Sequence, residues 1–253
     1  MTLKELRVPA LALSCLVLAA AAVASVTETF KQTYPLTANG TIHLENVNGD
    51  IDIVAWDKAE VAIEAEKKGK TDADLAKVTY EVDSTPSRLS FKAKYAKSKG
   101  GWFGNSVNAS VRFKLRVPAG ARLQKIASVN SDLTVTGVRG PVDLDIVNGS
   151  ITATGLAANA SLDSVNGSLQ AEFAAITGVT TVELDSVNGA VSVTLPKDAG
   201  ARIDADTVNG RISVDQPVKL GKVRRRSFTG QIGTGGPAIE LDTINGSISI
   251  KEL

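Results

Sequence analysis

The chain has 253 residues, a formal net charge of +1, one histidine and one cysteine. That length allows one large or two modest domains with a real core, and near-neutral charge gives no electrostatic case for a nucleic-acid partner. Aromatic residues make up 4% of the chain, a composition that suits stacked β-structure of small and β-branched residues better than an enzyme built on a large aromatic core.

Residues 1–24 read as an export signal. Lys4 and Arg7 precede an apolar stretch from Val8 to Val23, and the small residues Ala22-Val23-Ala24 present a peptidase site. Cleavage is expected after Ala24; the alternative is an uncleaved anchor, since Val8 to Val26 is nearly long enough to span a bilayer. Cleavage would remove Cys15 and leave a chain without disulfides, held by packing and hydrogen bonds.

Residues 25–120 form a less regular β region. Thr41-Ile-His-Leu-Glu45 alternates polar and apolar residues, as a half-buried strand does, and makes His43 an ordinary strand residue. The one helical prospect is a turn or two within Thr71 to Val78. In Lys97-Ser-Lys-Gly-Gly-Trp-Phe-Gly-Asn105, Trp102 and Phe103 stand in a Gly-rich basic loop. Paired aromatics there suit peripheral membrane contact or stacking on sugars; the competing reading is a loop that folds back over one end of the core.

Residues 121–253 are repetitive. Val-Asn-Gly or Ile-Asn-Gly places asparagines at 48, 148, 166, 188, 209 and 245, with degenerate copies at Asn130 and Thr229. From Asn130 the steps are 18, 18, 22, 21, 20 and 16 residues. Each copy reads as strand, corner, strand, with period-two alternation on both sides. Asn-Gly between such runs also signals a hairpin, so a β-sandwich of hairpins is the alternative fold. A parallel β-solenoid is favoured because stacked coils select like residues at like positions. Asn48, Asn130, Asn148, Asn166, Asn188, Asn209 and Asn245 are then expected to form a side-chain amide ladder.

Three residues before each ladder asparagine stands an acid: Glu45, Asp145, Asp163, Asp185, Asp206 and Asp242, interrupted by Ala127 and Arg226. Stacked at about 4.8 Å, these carboxylates would repel. Asp145, Asp163 and Asp185 are therefore candidates for a stripe that binds Ca²⁺ or a cationic partner, against a reading as a solvated face that resists edge aggregation. Arg226 is expected between Asp206 and Asp242. Arg224, Arg225 and Arg226 close a basic run suited to an anionic envelope polymer, although most charge runs are solvated faces.

No catalytic or cofactor motif emerges. One histidine leaves a single possible base for nucleophilic designs, and there is no metal-spaced His/Cys cluster, Walker loop or nucleotide fingerprint. The stretches Leu44-Glu-Asn-Val-Asn-Gly-Asp-Ile-Asp-Ile-Val-Ala-Trp-Asp57, Val61-Ala-Ile-Glu-Ala-Glu66 and Phe113-Lys-Leu-Arg-Val-Pro-Ala-Gly-Ala-Arg122 resemble the putative adhesin family of bacterial β-strand-repeat proteins of unknown function. The resemblance covers about residues 30 to 253 and implies an all-β fold and an envelope location, periplasmic or cell surface, without a transferable catalytic residue. The functional expectation is an exported, non-enzymatic binding or structural scaffold whose partner is an envelope polymer or protein. An accessory of envelope-stress signalling, or a carbohydrate-active enzyme on the same scaffold, are the alternatives.

Overall fold

The computed structural model describes residues 25–96, 108–224 and 226–253. The expected signal segment, Trp102, Phe103 and Arg225 lie outside them. Among the described residues, twenty-one strands and one short helix build two sheets that face each other across a single core.

The strands of the first half are β1 (Val26–Pro35), β2 (Thr41–Glu45), β3 (Ile51–Trp56), β4 (Glu60–Gly69), β5 (Val78–Thr85), β6 (Arg88–Tyr95) and β7 (Ala109–Pro118). Next come β8 (Arg122–Asn130), β9 (Leu133–Thr136), β10 (Val142–Asn148), β11 (Ile151–Leu156), β12 (Ala160–Asn166), β13 (Leu169–Phe173), β14 (Thr181–Asn188) and β15 (Val191–Leu195). The chain ends with β16 (Ala201–Asn209), β17 (Ile212–Val214), β18 (Val218–Arg224), β19 (Ser227–Ile232), β20 (Ala238–Asn245) and β21 (Ile248–Glu252). The helix α1 (Asp72–Leu75) is one turn, capped by the Thr71 hydroxyl accepting from the Asp74 amide.

Each Asn-Gly copy is a corner between the sheets, not a hairpin within one. The chain runs up one strand in the first sheet, turns at Asn-Gly, and continues in the second sheet, as in β10 to β11 and β12 to β13. Successive coils pair in parallel and in register, with Leu144 beside Leu162, Leu162 beside Leu184 and Leu184 beside Leu241. Like residues therefore form buried columns: these leucines are fully buried, as are Ile151, Leu169, Val191 and Ile248 on the facing sheet. This is the solenoid the repeats imply, with two strands per coil.

The coils do not stack in chain order. In the first sheet the order is β2, β8, β10, β12, β14, β20, β16, and in the second it is β3, β9, β11, β13, β15, β21, β17. The C-terminal coil β20–β21 thus occupies a slot between β14–β15 and β16–β17. The copy at Thr229 is not a coil: β18 and β19 form an antiparallel hairpin, and β19 runs antiparallel to β16. Arg226 consequently does not lie between Asp206 and Asp242, which are direct neighbours in register. It sits beyond Asp206, where its carbonyl accepts from the Thr207 amide.

The N-terminal region joins the same two sheets. Its coil β2–β3 seats on β8–β9, and β1, β4, β7 and the β5–β6 pair extend the sheets beyond it. Phe30, Tyr80, Phe91 and Phe113 close the core at this end, with neighbouring ring centroids 5.1 to 6.3 Å apart.

Candidate functional site

The corners set the geometry of the site. Six side-chain hydrogen bonds link seven asparagines: Asn130 donates to Asn48 (2.7 Å), Asn148 to Asn130, Asn166 to Asn148 and Asn188 to Asn166 (2.9 Å each), Asn245 to Asn188 (2.8 Å) and Asn209 to Asn245 (2.9 Å). The ladder is continuous, with Asn245 before Asn209 as the coil order requires.

A second, inner ladder runs beside it. The Ser186 hydroxyl donates to the Gly167 carbonyl, Thr243 to Gly189 and Thr207 to Gly246, at 2.9 to 3.0 Å. In the first coil Asn46 takes this inward position: buried, it donates to the carbonyls of Gly49 and Val111 at 2.9 Å and accepts from the Tyr95 hydroxyl. Glycine follows from the same stacking. A Cβ at Gly167, Gly189 or Gly246 would fall inside the contact shell of the carbonyl oxygen of the neighbouring corner. Only Gly49 and Gly149 among these corners also need positive φ.

The strand pleat then sorts what precedes each corner. Along β12, Leu162 and Ser164 point into the protein while Asp163 and Val165 point out. Repetition turns this alternation into two outward columns. The acidic column runs Asp145, Asp163, Asp185, Asp242, Asp206 without a break, and Ala127 separates it from Glu45. The apolar column runs Val129, Val147, Val165, Val187, Ile244, Val208, each between 38% and 51% exposed. These six are most of the nine large apolar side chains exposed among the described residues, so solvent-facing apolar surface is concentrated on this one face.

Both columns line an open groove of about 1190 Å³. Lys125 borders it near Asp145, and Arg224 and Arg226 border it beyond Asp206. Lys125 reaches this place through an irregularity of β8, where its φ is +64° and the register to β10 shifts.

The carboxylates are held uncomfortably. Rungs about 4.8 Å apart put unit charges in repulsion of about 1 kcal/mol in a water-like medium and about 3.5 kcal/mol at an effective dielectric of 20. Among the described residues none of the five aspartates has an ion pair. Burial, then the charges of Asp145 and Asp185, pushes Asp163 up to about 6. Burial followed by Asp143 raises Asp145, burial followed by Glu183 raises Asp185, and burial followed by Asp185 and Asp206 raises Asp242.

The structure thus brings Asp145, Asp163 and Asp185 into one column and sets Arg224 and Arg226 at its end. Among the described residues no group of three or more His, Cys, Asp or Glu is arranged to hold a metal ion; the aspartates stand one per coil. The apolar column and Lys125 were not singled out from sequence. The signal for the first was present, since the residue before each Asn is Val or Ile and falls on the same parity as the outward Asp.

The family described as Toastrack DUF4097 matches residues 42–251. The chain belongs to the Toastrack DUF4097 family. Its fold is similar to that of a putative cell adhesion protein from Clostridium sporogenes ATCC 15579, at 12% identity and a TM-score of 0.51, over 89% of this chain and 100% of that one. It also aligns with a putative adhesin from Bacteroides fragilis NCTC 9343, at 14% identity and a TM-score of 0.38, over 89% of this chain and 97% of that one. At 12% identity the likeness to the Clostridium sporogenes protein speaks for the fold alone. No curated protein matches the chain. Among the described residues of this Toastrack chain no helix is long and apolar enough to cross a membrane.

Proposed function

We propose that this chain is an exported, non-enzymatic protein of the cell envelope that binds a partner along the outer face of its first sheet. The observation that carries the reading is the groove, where a column of exposed Val and Ile lies beside a column of Asp on a frame fixed by two hydrogen-bond ladders. Exposed apolar surface gathered into one stripe is costly unless it meets a partner, and repetition over coils adds weak contacts into useful affinity. The apolar stretch Val8 to Val23 behind Lys4 and Arg7 supports export, and the adhesion described for the Clostridium sporogenes structure agrees with a binding role.

The test combines fractionation with an envelope-binding assay. The purified chain is expected to sediment with isolated envelope, and the double substitution V165S/V187S, on exposed positions that leave the core intact, is expected to reduce this at least tenfold. Retention in the cytoplasm, or envelope binding unchanged by V165S/V187S, would overturn the reading.

A further inference from the structure

The groove is long and periodic, and its two columns differ in chemistry. Five aspartates span four inter-coil steps, about 19 Å, and the six apolar residues span five steps, about 24 Å. The two columns are two residues apart along each strand, about 6.6 Å. An occupant that satisfies both has cationic groups along one line and apolar groups along a parallel line, each repeating near 4.8 Å.

Resting on the reading of this face as a binding surface, we infer that its partner is a cationic amphipathic α-helix lying along the stack axis. Three features of the groove select it. The first is pitch: a helix returns to the same face every 5.4 Å, a mismatch of about 0.6 Å per coil, whereas an extended strand returns every ~6.6 Å and loses register after one or two coils. The second is width: a helix about 10 Å across covers both columns together, with its apolar stripe on Val147, Val165, Val187 and Ile244 and its cationic stripe on the aspartates. The third is charge. The outer face carries Asp143, Glu183, Glu240 and Asp204 beside the five column aspartates, a field that repels anionic lipid, nucleic acid and acidic polymer and attracts Lys and Arg.

The ends of the groove set the length of the cationic stripe. Lys125 stands at one end and Arg224 and Arg226 at the other, so positive side chains are welcome only across the intervening five rungs. About 19 Å accommodates three to four helical turns, or roughly 13 residues at 1.5 Å each. Burial first, and neighbouring acids second, raise the carboxylates of Asp145, Asp163, Asp185 and Asp242, and a cation seated beside them would favour their charged form. This is recognition of an amphipathic helix in a groove, with strand columns as the receiving surface.

The experiment uses a synthetic 18-residue peptide whose leucines form one helical stripe and whose lysines form the adjacent stripe. Its binding to the purified chain is followed by fluorescence anisotropy and circular dichroism. Two control peptides are included, one of the same composition scrambled to abolish the stripes and one with glutamate in place of lysine. The inference expects binding with gain of helicity and at least tenfold weaker binding of both controls. It also expects at least tenfold loss in D163N/D185N and in V165S/V187S, with salt dependence diminished only in the first. Equal binding of the scrambled peptide, or binding without helix formation, would overturn the helical partner. If no peptide binds while envelope binding still depends on Val165 and Val187, the inference fails and the binding face stands; if envelope binding ignores the groove, the underlying reading fails instead.

Discussion

Replacing Asp163 by Asn should stabilise the protein at neutral pH. Asp163 is the second of the five stacked aspartates counted from the β2 end, flanked in register by Asp145 and Asp185, with Asp143 and Ser161 on the same face. Burial and its two neighbours push it from an ordinary 3.8 to about 6. A rise of that size corresponds to about 3 kcal/mol at ~1.4 kcal/mol per pH unit, and solvent screening at a half-exposed site leaves roughly 1 kcal/mol. The sign follows from proton binding. Between pH 3.8 and 6 the folded chain holds the Asp163 proton more tightly than the unfolded chain, so its contribution to stability falls as pH rises through that window and stays unfavourable above it. Asparagine keeps the shape, keeps an acceptor for the Ser161 hydroxyl and removes the charge. Urea unfolding of wild type and D163N at pH 7.5 and 4.5 measures the effect. The gain expected is about 1 kcal/mol at pH 7.5 and less than half of that at pH 4.5. A D163N chain no more stable than wild type at pH 7.5, or equally stabilised at both pH values, would refute the picture of a strained charge column.

Other consequences of the stacking are as direct. Gly167→Ala drives a Cβ into the Gly149 carbonyl and should cost more than 3 kcal/mol, or prevent folding, by thermal melting; a loss below 1 kcal/mol would show that the corners are looser than described. Asn166→Ala removes two exposed amide bonds, to Asn148 and from Asn188, and should cost about 1 to 2 kcal/mol. Coil order is open to cross-linking in a background lacking Cys15. Glu240 pairs with both Glu183 and Asp204, so E183C/E240C and D204C/E240C should form disulfides, whereas E183C/D204C, about 9.6 Å apart across two rungs, should not.

Much of this fold was legible in the chain because repetition writes geometry into sequence. Each outward Asn had to meet its like, and the residues Val-Asn-Gly at steps of 16 to 22 gave the corner, the ladder and the acidic column by register alone. The order of coils was not legible for the same reason. Asp206-Thr-Val-Asn209 and Asp242-Thr-Ile-Asn245 offer a neighbour nearly identical surfaces, so nothing local decides which coil stacks on Asn188. In sequence the hairpin β18–β19 reads as a coil because Phe228-Thr-Gly-Gln231 mimics the corner residues, whereas in the fold it pairs antiparallel. The place of Lys125 is not legible in sequence because it depends on a register shift between β8 and β10. The Val and Ile column is hidden in sequence because an apolar residue beside a corner reads as core until the pleat is known. At Gly167, Gly189 and Gly246 the close approach of the next corner, not left-handed backbone, excludes a side chain.

The proposed binding surface is one face of one sheet. Hydroxyl-radical footprinting of the chain, free and bound to isolated envelope, tests it most directly. The prediction is protection of Val147, Val165, Val187 and Ile244, with no change at Ile248 or at the outer residues of the second sheet. Protection confined to that second sheet, with these four side chains oxidised as in the free chain, would contradict it.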